Sequence, residues 1–217
     1  MTNRNIKIFI ITISFFASVF VFAKPQWEVQ GEMLVPVAGG EAVVFQNKMY
    51  ILGGYSDSSG TPITSIQEFD PSANPGEQWK IVGKLLVPRT NFVASVWENR
   101  IIVAGGETGL DQTAVNSMEV WGPTYGNMLF DEDVSTNRIG ATGEIWNGFF
   151  FIVGGYYHGG AESWSNAIVA FNMSESREWF SFPLPGLQIP YNHASFLLEN
   201  AIYIAGDTER KTAADTW

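Results

Sequence analysis

The chain has 217 residues, 46% hydrophobic and only 16% charged, which is enough apolar material for a packed core and excludes intrinsic disorder. Its formal net charge is -10, with 12 Lys and Arg against 22 Asp and Glu, so nothing here neutralises a row of phosphates and a nucleic-acid partner is excluded. Cysteine is absent and His158 and His193 are the two histidines, which removes disulfides, thiolate chemistry and multi-histidine metal sites.

Residues 1–23 read as a signal peptide. Arg4 and Lys7 precede an apolar run from Ile8 to Phe22, and Val21-Phe22-Ala23 has the residue sizes of a cleavage site. The run is short beside the roughly 20 residues of a membrane span. The expectation is therefore an exported chain, periplasmic or secreted, with no membrane contact once the segment is removed.

Residues 24–217 repeat themselves. Ile51-Leu52-Gly53-Gly54 recurs as Val103-Ala104-Gly105-Gly106 and as Ile152-Val153-Gly154-Gly155, with a worn copy at Ile204-Ala205-Gly206-Asp207. Before each pair lies a strand–turn–strand pattern with Asn at its tip: Asn47, Asn99, Asn147 and Asn200. Asn tolerates positive φ, so a tight hairpin is expected there. After each pair come a polar loop and another strand: Ser65–Phe69, Ser117–Trp121 and Ala167–Phe171. Trp79 and Trp179 follow in two copies, Phe130 takes the place in the second, and Trp27 stands alone. Four strands per repeat of about 50 residues predict stacked blades, because no repeat buries both faces alone. The fold class expected is all-β, a propeller with three four-stranded blades and a partial fourth. The repeats run about 37–88, 89–137, 138–189 and 190–217. The glycine pairs are expected to close strand b, an inner strand, where backbones crowd the axis.

The Gly-Gly that closes an apolar strand, Glu68-Phe69-Asp70-Pro71, Trp79 and Pro88-Arg89 together resemble Kelch repeats. The resemblance covers nearly all of residues 24–217 and implies a Kelch-type β-propeller; one fold of this kind serves many functions. Several copies depart from the pattern. Trp121-Gly122-Pro123 replaces Phe69-Asp70-Pro71, Asp207 replaces a glycine, and only Arg89 and Arg138 keep an arginine that is Val37 in the first copy. Trp217 stands where strand c of the last blade would begin, so the sequence reads either as a truncated product, the favoured expectation, or as a four-bladed ring. An open propeller edge would permit self-association.

Strand b leaves and strand a enters at the same end of every blade, so the long b-to-c loops share one face, where binding usually lives. Tyr55, Glu107, Tyr156, Tyr157, His158 and Trp164 fall there. Arg89 and Arg138 open strand a in adjacent blades. Either they grip a ligand carboxylate in bidentate fashion, or each bonds backbone carbonyls or a nearby acid. No catalytic residue, metal ligand or cofactor is assigned. The expectation is a binding module presenting its loop face to a protein or glycan. The alternative is a carbohydrate-active enzyme, since exported Kelch-type propellers resemble the sialic-acid mutarotase (N-acetylneuraminate epimerase) family. Galactose-oxidase-like copper chemistry, also found on such blades, needs a cysteine that is absent here.

Overall fold

The computed structural model describes residues 29, 31–109, 113–134, 138–157, 163–165, 167–174, 176–185, 189 and 193–206. Blade 1 holds β1 (Glu41–Phe45), β2 (Lys48–Leu52), a short ribbon of β3 (Tyr55–Ser56) and β4 (Thr61–Pro62), then β5 (Ser65–Phe69) and β6 (Trp79–Lys84). Blade 2 holds β7 (Val93–Trp97), β8 (Arg100–Ala104), the ribbon β9 (Glu107–Thr108) and β10 (Thr113–Ala114), β11 (Ser117–Gly122) and β12 (Gly126–Asp133). Blade 3 holds β13 (Thr142–Trp146), β14 (Phe149–Val153), the ribbon β15 (Tyr156–Tyr157) and β16 (Ser163–Trp164), β17 (Ala167–Asn172) and β18 (Trp179–Pro183). Blade 4 contributes β19 (Ala194–Leu198) and β20 (Ala201–Ala205).

The three full sheets have the same antiparallel order, β1-β2-β5-β6, β7-β8-β11-β12 and β13-β14-β17-β18. No helix occurs among the described residues. The first strands β1, β7, β13 and β19 touch in sequence, so they line one axis, with the blades following one another around it. Trp27 and Trp217 lie outside the described residues.

The two-residue turns form because their residues accept the left-handed region. Phe45 pairs with Lys48 across Gln46 and Asn47, whose φ values are 51° and 60°. The equivalent turns place Glu98, Asn147 and Glu199 at φ 52°, 48° and 54°. Two positive φ values, at Gln46 with Asn47 and at Asn147 with Gly148, give the twist that matches the flanking strands, while in the other two turns the glutamate and not the expected Asn takes the positive φ.

The glycine pairs close strand b, as expected from the sequence, each following directly on its last residue. There they bond the neighbouring blade: Gly54 N–H donates to the Arg89 carbonyl at 2.9 Å, and Gly106 N–H to that of Arg138 at 3.1 Å. The second glycine carries φ of +92°, +86° or +88° at Gly54, Gly106 and Gly155. A Cβ on Gly106 would come within 2.6 Å of the Thr90 carbonyl oxygen. Glycine is thus needed for the backbone turn and for the close approach of the segment that enters strand a of the same blade.

Alternation along the strands divides the core between blades. Val43, Phe45, Tyr50 and Leu52 of blade 1 pack on Ala94, Ile101, Val103 and Trp121 of blade 2. Val93, Ile102, Ala104, Met118 and Val120 of blade 2 pack on Ala141, Phe150, Ile152, Val169 and Phe171 of blade 3. The aromatic expectations need correction. Trp79 and Trp179 are half-buried, because they sit on the outermost strands, each against the Phe of strand c: Phe69 and Phe171, both at 5.1 Å between ring centres. Phe130 is half-buried too, but it and Trp179 do lie between blades 2 and 3, as expected: Phe130 is edge-on to Phe171 at 5.8 Å and Trp179 Nε1 donates to the Asp133 carbonyl at 2.9 Å. Trp121 is sealed between blades 1 and 2, 2% exposed and 5.5 Å from Tyr50.

Candidate functional site

The first residue of each ribbon bridges to the segment just before strand a of its own blade: Tyr55 to Ala38, Glu107 to Thr90 and Tyr156 to Ile139. The expected connectivity holds, and Tyr55, Glu107 and Tyr156 stand at equivalent positions on one end of the blades. Tyr157 and Trp164 pair with Ser163 and Tyr156 in the third ribbon, their side chains lying outside the described set. His158 lies outside the described residues altogether.

Arg89 and Arg138 belong to the same end but not to its surface. They are 0% and 1% exposed. Arg89 Nη1 donates to the carbonyls of Gly105 and Ser117 at 2.9 and 3.0 Å, and Nη2 to Ser117 Oγ and Glu119 Oε1 at 3.0 and 2.9 Å. Arg138 Nη1 makes the same link to Gly154 and Ala167, at 3.0 and 2.8 Å. Each arginine therefore ties the end of strand b to the start of strand c within its blade. Of the two roles open to them in the sequence, the geometry gives the backbone-bonding one, because a guanidinium turned into the sheet cannot also grip a ligand. Burial pulls Arg89 below its usual pKa, and the charge of Glu119 opposes that shift. Glu119 Oε2 also accepts from Leu86 N–H at 2.6 Å, holding the chain that leads into blade 2.

The mouth itself has two adjoining cavities. One, of about 330 Å³, is lined by Ala38, Gly39, Tyr55, Thr90, Asn91, Glu107 and Gly109. It brings the predicted Tyr55 and Glu107 together. Glu107 is 6% exposed and accepts from Asn91 Nδ2 at 2.7 Å, which fixes the amide. The other, of about 250 Å³, lies on the axis and shares Gly39 and Asn91. Its polar lining is Glu41, Asn91, Thr142 and His193, one group from each blade. Thr142 Oγ1 and His193 Nε2 lie 2.9 Å apart. Burial raises the Glu41 carboxyl to about 7, against a weaker opposing bond from the Ala42 backbone.

The Kelch motif model matches residues 36–86, the first repeat. An F-box/kelch-repeat protein of Arabidopsis thaliana is 26% identical over 119 residues, covering 54% of this chain and 31% of that protein. Kelch-like protein 23 of Homo sapiens is 46% identical over 44 residues, 20% of this chain and 7% of its own length. The solved structure of YjhT superposes with a TM-score of 0.67 at 15% identity, over 82% of this chain and 60% of that one. The first repeat thus matches the Kelch motif, and blades 2 and 3 repeat its strand order and its glycine pair. The chain spans less than a third of the curated relatives it matches, and the YjhT likeness speaks to the fold.

The Kelch arrangement explains which mouth residues the sequence left unseen. Glu41, Val93, Thr142 and Ala194 occupy one register, the first residue of strand a. Counting back from the glycine pairs finds Glu41 and Thr142 as polar residues at an apolar start of strand. His193, just before a strand, is buried and lies within hydrogen-bond distance of Thr142. Neither spacing nor residue type says that four such positions converge on the axis.

Glu41 gives a pH test. Its carboxyl is raised from an ordinary 4.5 to about 7, so between those values the folded chain holds a proton that the unfolded chain has released. The stability contribution is whole below pH 4.5 and is lost as the pH rises through about 7. Thermal melts across that window should show wild type losing stability relative to Glu41→Gln as the pH rises. A constant difference between the two would contradict the burial of this carboxyl.

Proposed function

We propose that the chain is an exported binding module that takes a glycan or a protein segment at the axial mouth. The observation that carries this reading is the cavity uniting Tyr55, Asn91 and Glu107 on the rigid ends of blades 1 and 2. An aromatic ring, an amide and a carboxylate suit the apolar face and hydroxyls of a sugar, or a peptide backbone. The described mouth presents two carboxyls, Glu41 and Glu107, and both arginines are engaged inside the sheet. A neutral or cationic ligand fits that chemistry better than the anionic one expected from the arginine pair. Export rests on the apolar segment at residues 1–23. A glycan and peptide array probed with wild type, Tyr55→Ala and Glu107→Gln tests the site. Each substitution should weaken binding about tenfold, the loss that about 1.4 kcal/mol produces. Equal binding by all three proteins would remove this mouth from consideration.

A second reading, a carbohydrate-active enzyme of the sialic-acid mutarotase type, is favoured by one observation. Glu41, with its proton poised near neutrality, and His193 line the same cavity, as acid–base work on a sugar requires. Its test is the anomer ratio of sialic acid with and without the protein. No acceleration over buffer would end this reading and leave the binding module intact.

A further inference from the structure

Three glutamates are buried among the described residues: Glu68, Glu107 and Glu119. Glu68 meets Lys48 Nζ at 2.7 Å, and Glu119 meets Arg89 Nη2 at 2.9 Å. Glu107 joins none of the ion pairs among the described residues. Its carboxylate takes one side-chain bond, from Asn91 Nδ2 to Oε1 at 2.7 Å. A buried carboxylate is costly without a cation or several donors. This one lines the cavity of about 330 Å³ between blades 1 and 2, together with Tyr55 and Asn91.

The repeat does not call for this acid. Tyr55 and Tyr156 hold the place of Glu107 in blades 1 and 3, each making the same bridge to the segment before strand a. Gly39 and Gly140 hold the place of Asn91. Asn91 N–H donates to the Gly39 carbonyl at 2.8 Å, and Gly140 N–H to the Asn91 carbonyl at 2.9 Å. All three turn with positive φ, at 64°, 53° and 62° along the chain. Two blades therefore make the turn with glycine, which takes that conformation more readily than asparagine. Blade 2 departs from them in both residues at once, and the departure fixes a carboxylate at the cavity wall.

The partner that Glu107 lacks is a cation, and neither this cavity nor the adjoining axial one is lined by Lys or Arg. Tyr55 adds an aromatic ring, whose face attracts a cation. The other polar groups suit hydroxyls: Asn91 stands at the junction of the two cavities, and Thr142 and His193 line the second. A lysine side chain brings an apolar stem and would leave those groups unused. An amino sugar engages both sets.

On the reading that this mouth is a binding site, we propose that its ligand is a glycan carrying a free amine. The ammonium pairs with the Glu107 carboxylate, and the sugar hydroxyls meet Asn91 and the polar groups of the adjoining cavity.

Calorimetry on the full chain, at a mildly acidic pH where the amine is protonated, compares three probes. They are a glucosamine disaccharide, its fully N-acetylated form and a lysine peptide with blocked ends. Wild type should bind the free-amine sugar about tenfold more tightly than the acetylated one, since acetylation removes a charge-assisted bond. Glu107→Gln keeps an acceptor for Asn91 and loses the charge, so it should bind the two sugars alike. General attraction of a cation to a chain of net charge -10 would survive that single change. Equal binding of the two sugars by wild type, or a preference that persists in Glu107→Gln, overturns the proposal and leaves the binding module standing. A wild type that binds neither sugar, or prefers the lysine peptide, overturns it too. The wild-type comparison needs no variant, so it holds even where the substitution disturbs folding.

Discussion

Arg89→Val should destabilise the protein by about 3–5 kcal/mol, the cost of removing one partner from a buried ion pair. Arg89 and Glu119 are both fully buried, 2.9 Å apart. Without the guanidinium, Glu119 keeps a charge in the core, and the carbonyls of Gly105 and Ser117 lose a donor. Blade 1 shows how the same place is filled without charge. There Val37 stands for the arginine and Gln67 for the acid, and Gln67 Oε1 accepts from Val35 N–H at 2.9 Å while its Nε2 donates to Val35 O at 2.8 Å. The double change Arg89→Val with Glu119→Gln should therefore cost clearly less than Arg89→Val alone. Denaturant unfolding of the three proteins measures this. A double variant no more stable than the single one would show that the pair is not coupled as the distances indicate.

Trp121→Ala should cost a similar amount, about 3–5 kcal/mol, because it empties the seam between blades 1 and 2. The indole packs on Tyr50, and Gly83 in β6 leaves room for it: a Cβ there would lie 2.5 Å from the indole nitrogen. Trp79→Ala should cost less, since Trp79 is half-buried and contacts a neighbour in its own blade. Paired melting curves decide the order. A larger loss at Trp79 than at Trp121 would contradict the seam described here. Gly83→Ala offers a milder check, as its added methyl meets the same ring.

The place where the repeat pattern looks worn is informative. Trp121-Gly122-Pro123 breaks the family motif, yet Trp121 fills the gap that Tyr50 and Gly83 leave on the adjacent blade. A motif read along one repeat cannot register a compensation made across two. The arginines teach the converse. Their spacing to the glycine pairs was visible, but direction was not: the same backbone position can send a guanidinium into the mouth or into the sheet. Unpaired carbonyls of Gly105 and Ser117, and the buried Glu119, draw Arg89 inward, because a buried acceptor without a donor is costly.

The sequence by itself determined the blades, their register and the end of the blades where loops gather. Periodicity of two along strands and a fixed return of Gly-Gly are local properties, legible wherever the chain must turn with positive φ. The tertiary structure alone decided the composition of the mouth. Glu41, Asn91, Thr142 and His193 come from four separate repeats, and no local pattern says that they converge. They meet because each blade enters at the axis, and the raised pKa of Glu41 follows from that burial and not from its neighbours in the chain.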